Sequence, residues 1–268
     1  MDLQFQGRTA LVLGGSTGIG LATAKLLLAE GAAVTIASRS AEKLAAAADL
    51  LRAETGHAPQ SVVCDAADAA QVEALFARFA GKPIHALVSA FGGSFRSLFE
   101  NLSDAQWLSN YELNLLGTVR ALRAALPSLR LAAKGAAPHG AGARVVLLGA
   151  TSGRQPTESQ GVSNVHKAGV MALAKTLSLE WAPEGIGVNC VCPGRVRTPL
   201  LEGRARGMAE KEGLPLETIL DRIASDVPYR RLGSAEEAGR LVAFLASPIA
   251  AYVTGQSIQV DGGLERGV

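Results

Sequence analysis

Gly14-Gly15-Ser16-Thr17-Gly18-Ile19-Gly20 follows a short apolar run, Thr9–Leu13, and opens an amphipathic stretch, Ile19–Glu30. Glycines let the chain turn tightly and bring backbone N–H groups close to a ligand. The first turn of the helix that follows adds unpaired N–H groups and a partial positive charge. A glycine-rich loop alone is only a tight turn. Between a strand and a helix, at the start of a βαβ unit, it becomes a cradle for pyrophosphate. The stretch therefore predicts a parallel α/β sheet whose first crossover holds a dinucleotide.

Outward from this loop the same alternation runs to the end of the chain. Strands are predicted over Thr9–Leu13, Ala33–Ser38, Ser61–Cys64, Ala86–Ser89, Arg144–Leu148, Gly187–Val191 and Ser257–Val260. Several are continuously apolar, which suits parallel strands covered on both faces. Helices are predicted over Ile19–Glu30, Ala41–Thr55, Ala69–Phe79, Asp104–Leu131, Val162–Trp181 and Ala235–Ala246. The pattern gives a doubly wound parallel sheet of about seven strands with helices on both faces, a Rossmann-like three-layer α/β/α fold. No Pro-, Ser- and charge-rich linker divides it, so residues 1–268 read as one dinucleotide-binding domain.

Two segments depart from the alternation. Lys134–Ala143, with its Gly, Ala and Pro, reads as a solvent-facing connection. Thr198–Val227 reads as helical, with apolar Leu216, Ile219, Leu220 and Ile223 at helix spacing. It follows a strand end, where open α/β sheets bind ligands, so a substrate lid is predicted. A packing hairpin at a subunit contact is the alternative. Its acidic and basic residues roughly balance and announce no anionic substrate.

Composition narrows the function classes. In this chain of 268 residues, 48% hydrophobic and 19% charged residues fit a globular protein with a sizeable core. A net charge of +2 leaves no electrostatic footprint for nucleic acid or an anionic membrane. Cys64, Cys190 and Cys192 form no disulfide framework and have no further ligands at metal spacing, so no metal is expected. They read as small buried residues in a reducing compartment. The start, Met1-Asp2-Leu3-Gln4-Phe5-Gln6-Gly7, lacks a signal-peptide pattern. No uncharged apolar run approaches the roughly 18–20 residues that span a bilayer, and a cytoplasmic location is expected.

The spacing Gly-x-x-x-Gly-x-Gly resembles that of the short-chain dehydrogenase/reductase family, and the resemblance covers nearly the whole chain. Asn114 in Asn-Leu-Leu-Gly is similar to the family's helix asparagine. Pro193-Gly194 followed by Thr198 resembles its loop around the nicotinamide carboxamide, and Tyr252-Val253-Thr254-Gly255 with Val260-Asp261-Gly262-Gly263 resembles its C-terminal signature. The resemblance implies cofactor contacts from Gly14, Ser16, Thr17, Gly18, Ile19 and Gly20 in the loop. It adds Asp65 and Ala66 at the adenine, Ser89, Ala90 and Phe91 after the fourth strand, Lys167 at the ribose, and Pro193, Gly194, Val196 and Thr198 at the nicotinamide. A small-molecule substrate and a homo-oligomer, dimer or tetramer, are implied as well. About 20 residues past the glycines, NAD-binding proteins tend to carry an acidic residue. Here stand Ser38 and Arg39, a pair that suits a 2′-phosphate, so NADP(H) is favoured over NAD(H).

At the catalytic segment the chain departs from the family. The pattern Tyr-x-x-x-Lys is replaced by Ser163-Asn164-Val165-His166-Lys167. A serine expected about 13 residues earlier is Ala150, with Thr151 and Ser152 beside it. A serine hydroxyl is a far weaker acid than a phenol, whose pKa is about 10. Losing a positioned acid costs about 10²–10⁴-fold, and losing one oxyanion donor about 10²–10³-fold. The candidate catalytic residues are Asn114, holding a relay water, Lys167, Ser163, Ser152 and His166, whose imidazole is a capable acid or a helix-packing group. Tyr111 either looks into the pocket or packs in the core. The 2,4-dienoyl-CoA reductases, a branch with Ser-x-x-x-Lys, supply a compensating tyrosine after the fifth strand, and Ala150-Thr151-Ser152 has none. Two functions follow: an NADP(H)-dependent oxidoreductase with an altered proton donor, acting on a carbonyl, imine or conjugated alkene, or a nucleotide-binding pseudoenzyme. Non-redox chemistry on the same scaffold is a third.

Overall fold

The glycine loop follows an inner strand, β1 (Thr9–Leu13), the third of seven strands in one sheet. The computed structural model describes residues 2–134 and 142–267. After β1 come α1 (Gly18–Ala29), β2 (Ala33–Ser38), α2 (Ala41–Thr55), β3 (Gln60–Val63), α3 (Ala69–Ala77) and β4 (Ala86–Ser89). The second half runs α4 (Asp104–Tyr111), α5 (Gly117–Lys134), β5 (Ala143–Leu148), α6 (Gly161–Trp181) and β6 (Ile186–Pro193). Then follow the two-residue β7 (Val196–Arg197), α7 (Pro199–Glu212), α8 (Leu216–Ser225), the two-residue β8 (Gly233–Ser234), α9 (Ala235–Leu245) and β9 (Ser257–Val260).

The sheet order is β3-β2-β1-β4-β5-β6-β9, and every pairing is parallel. Strand order reverses between β1 and β4, where Leu13 pairs with Ala37 on one side and Ser89 on the other. Crossovers leave that point in opposite directions and open a crevice at the carboxyl edge.

Side chains alternate across the strands and build two cores. Leu11 and Leu13 of β1, with Val145 and Leu147 of β5, meet α3, α5 and α6 on one face. Ala10, Val12, Val146 and Leu148 meet α1, α2 and α9 on the other. This is the Rossmann-like α/β/α layering the sequence predicts. Local sequence fixes the helix starts: Asp68 accepts N–H bonds from Ala70 and Gln71, and Ser103 and Ser234 form capping boxes with Gln106 and Glu237.

One expectation changes. The predicted Asp104–Leu131 helix is α4 and α5 joined by a π-helical turn, Glu112–Leu116. Residues 135–141 of the predicted Lys134–Ala143 connection lie outside the described residues; Lys134 ends α5 and Ala143 begins β5.

Candidate active site

The crevice is a cleft of about 500 Å³. Gly14 has φ 78°, and a Cβ there would lie 2.7 Å from both Ala90 C and Phe91 N, so only glycine lets the β1 and β4 loops approach. A Cβ on Gly20 would strike the Gly14 carbonyl oxygen. Thr17, the N-cap of α1, makes no side-chain cap bond, which leaves the first-turn N–H groups for a ligand. Gly14, Ser16, Thr17, Gly18, Ile19, Ser38, Arg39, Asp65, Ala66, Ala90, Phe91, Pro193, Gly194, Val196 and Thr198 all line the cleft. Gly20 and Ser89 do not. Gly20 is a buried packing residue under the loop, and Ser89 is the buried last residue of β4.

At the end of β2, Arg39 shares the lining with Lys43, a residue the sequence reading missed. Ser40 caps α2 by accepting the Lys43 N–H at 3.2 Å, which sets Lys43 in the first helical turn. Asp65, after β3, is the one carboxylate among the described lining residues. A guanidinium and an ammonium beside the β2 edge fit a 2′-phosphate, which a carboxylate in their place would repel. The spacing from Arg39 to Lys43, one turn into the next helix, was the available signal.

The π-turn carries Asn114 inward, where it is 3% exposed. Asn114 Nδ2 donates to Gly93 O at 2.8 Å and to Asn110 O at 3.0 Å. Gly92, with φ 150°, has no room for a Cβ, which would lie 2.8 Å from Asn114 Oδ1 and 3.2 Å from Lys167 Nζ. The predicted asparagine and lysine thus converge on one glycine. Lys167 Nζ donates to Leu148 O at 2.9 Å, and burial pulls its ammonium below the usual lysine range. Ser163, one turn earlier on α6, and Ser152, in the turn after β5, also line the cleft, together with Ala150.

His166 faces elsewhere. It is 5% exposed, its Nδ1 lies 2.8 Å from Asn110 Oδ1, and its ring meets Trp107 and Tyr111. Burial and the Lys167 charge hold its pKa below the usual histidine value. It packs α6 against α4 and braces Asn110 behind Asn114; it does not reach the cleft, which corrects its candidacy as an acid. Tyr111 lies against His166, 37% exposed, and is neither core nor lining. Tyr229 and Tyr252 are exposed, so none of the three tyrosines lines the cleft.

The far wall comes from α7 and the chain after β6. Leu200, Leu201 and Arg204 of α7 line the cleft with Arg195, which follows Pro193-Gly194. α7 and α8 share a small core of Ala205, Ala209, Ile219 and Leu220. The cysteines are buried, Cys190 and Cys192 lying with sulfurs 3.8 Å apart on β6. Among the described residues, no group of His, Cys, Asp and Glu is placed to hold a metal, and no helix is long and apolar enough to cross a membrane.

Comparison with known proteins agrees with this architecture. Residues 14–265 match the family model described as Enoyl-(Acyl carrier protein) reductase. The putative ketoacyl reductase of the monensin polyketide synthase from Streptomyces virginiae is 34% identical over 265 residues, spanning 97% of this chain and 98% of that protein. Among solved structures, L-sorbose reductase from Gluconobacter frateurii, complexed with NADPH and L-sorbose, superposes with a TM-score of 0.92 at 29% identity and covers 100% of both chains. The NADPH-bound short chain oxidoreductase from Pseudomonas aeruginosa PAO1, containing an atypical catalytic center, gives 0.85 at 34% identity, covering 97% of this chain and 98% of that one. With its glycine loop, its Asn114–Lys167 floor and these relatives, the chain belongs to the short-chain dehydrogenase/reductase family of oxidoreductases.

Proposed function

We propose that this protein is an NADP(H)-dependent short-chain oxidoreductase in which Ser163 stands where the family's tyrosine would act. The observation that carries the reading is the joint lining of one cleft by the glycine loop, Arg39 with Lys43, and Lys167 with Ser163, while every tyrosine lies outside it. Relatives support the cofactor: the sorbose reductase and the Pseudomonas oxidoreductase are NADPH complexes, and the latter has an atypical catalytic center of its own.

When bound, the reduced nicotinamide supplies a hydride to an electrophilic carbon of the substrate. The α1 N-terminus and loop N–H groups take the pyrophosphate, and Arg39 and Lys43 take the 2′-phosphate. Lys167 orders the ribose, and its partly desolvated ammonium is a stronger acid than an ordinary lysine. Ser163 shares a helix face with Lys167 and hydrogen-bonds the substrate heteroatom. Its O–H passes a proton to that atom as it takes one from the lysine side, giving the reduced product. Asn114 shapes the loop at Gly92 and Gly93. Without a phenol, an activated carbonyl, an imine or a conjugated alkene is a better substrate than an unactivated ketone. Residues 198–227 act as a lid, since Leu200, Leu201 and Arg204 already cover one side. Exposed Leu108, Val165 and Leu179 on α4 and α6 favour a homo-oligomer.

The test is NADPH consumption, followed at its absorbance band, over a panel of ketones, activated carbonyls, imines and enones. Turnover of activated members well above simple ketones is expected. NADPH binding with no turnover across the panel would contradict the oxidoreductase reading.

A further inference from the structure

The substrate end of the cleft is cationic, and among the described residues its ion pairing is slight. Five lining residues carry positive charge: Arg39, Lys43, Lys167, Arg195 and Arg204. Arg39 and Lys43 lie at the β2 edge and Lys167 at the floor. Arg195 and Arg204 belong to neither group. They enter from separate segments, the turn after β6 and the middle of α7.

Their partners are few. Arg195 Nε is buried and makes no hydrogen bond. Its ion pair with Asp226 is long, 3.9 Å, and that carboxylate is 65% exposed to solvent. Arg204 Nη2 donates to a neutral acceptor, Ser94 O, at 2.6 Å. Exposed Arg96, on the same loop as Ser94, adds repulsion: burial, then Arg96, holds the Arg195 pKa below the arginine value against a smaller offset from Asp226, and burial, then Arg96 and Arg195, does the same for Arg204. Half-buried like charges with an orphaned N–H are costly unless an anion joins them. A guanidinium with a free Nε edge presents a fork for an oxyanion.

We infer that the substrate carries an oxyanion, a carboxylate or a phosphate, and that Arg195 and Arg204 hold it while the reacting carbon lies toward Lys167. This deepens the proposed oxidoreductase reading and rests on it. The near-balance of charge along Thr198–Val227 concealed this, because Glu202, Glu212 and Glu217 pair with Arg197 and Arg222 and leave Arg204 to the cleft.

Calorimetric titration of the protein, with and without saturating NADP+, uses two matched pairs of probes: levulinate with its methyl ester, and dihydroxyacetone phosphate with dihydroxyacetone. At least one charged member is expected to bind about 10–100-fold more tightly than its neutral partner. Which pair shows the difference separates carboxylate from phosphate. Arg195→Gln and Arg204→Gln should each erase most of that difference; Arg195→Lys, which keeps charge without the fork, should erase part of it. Melting temperatures confirm that the variants fold. Equal affinity within both pairs, or no binding of any probe, would overturn the inference, as would Arg variants that weaken NADPH and leave the charged probe unaffected. Absence of NADP(H) binding with the charged preference intact would instead sink the cofactor reading.

Discussion

The two halves of the cleft are built by different means. Around β1 and β4 the backbone makes the site: a positive-φ glycine, a helix N-terminus and loops too close for a Cβ. Around β5, β6 and α7 the side chains make it, drawn from Ser152, Ser163, Lys167, Arg195 and Arg204, which only the fold brings together. A backbone site serves one ligand shape and tolerates little change. A side-chain site can be re-specified residue by residue while the nucleotide half stays fixed, and the role proposed for Ser163 is a change of that kind.

This contrast sets what substitutions should do. Lys167→Met removes the charge at the floor of the catalytic half and should lower kcat/KM by about 10²–10⁴-fold, measured as NADPH consumption; a loss under tenfold would put the ammonium outside the chemistry. Ser163→Tyr should raise reduction of an unactivated ketone by about 10²-fold by restoring a phenol one turn from Lys167. No gain, with NADPH affinity intact, would mean that the missing phenol is not what limits the wild type. Gly14→Ala acts on the backbone half. The strained φ and the contact with Ala90 and Phe91 should cost about 1–3 kcal/mol, seen as a lower Tm and weaker NADPH binding. An unchanged Tm would show that the β1 loop has slack the geometry does not suggest.

The smallest effect concerns pH. His85 accepts the Thr9 N–H at its Nδ1, and His166 is buried against Asn110, so burial holds both pKa values below 6.5 in the folded state. Unfolding lets each take up a proton more readily. Their contribution is therefore complete above about pH 6.5 and is lost as pH falls below it. Thermal melts should lose a few degrees between pH 7 and pH 5, and His166→Gln should flatten part of that slope. A profile identical in wild type and variant would remove His166 as a cause, since carboxylates such as Glu237, held at about 2 by Arg231 and Ser234, lose their contribution only below about pH 4.5.

Legibility in the sequence followed the same divide. Apolar runs placed β1, β2 and β4 at their observed bounds, because buried parallel strands need no alternation to be recognised, and β9, a half-buried edge strand of alternating Ser-Ile-Gln-Val, kept its bounds as well. The glycine loop was legible because its signal is local and backbone-borne. Arg204 was not, since it stands in a charge-balanced helix and only the three-dimensional structure shows that it lines the cleft and bonds the Ser94 carbonyl. His166 misled for a related reason: adjacency to Lys167 in sequence puts it about 100° away around the helix, toward Trp107 and Asn110. The π-turn at Asn114 has no sequence signature that propensity would detect.

Calorimetric titration of the wild type with NADPH and with NADH, repeated on Arg39→Glu, bears most directly on the site as a whole. Tighter binding of NADPH by about tenfold or more, reduced or reversed in the variant, is the expected result. Equal or tighter binding of NADH by the wild type would contradict the assignment of Arg39 and Lys43 to a 2′-phosphate, and no affinity for either dinucleotide would remove the cofactor from the cleft altogether.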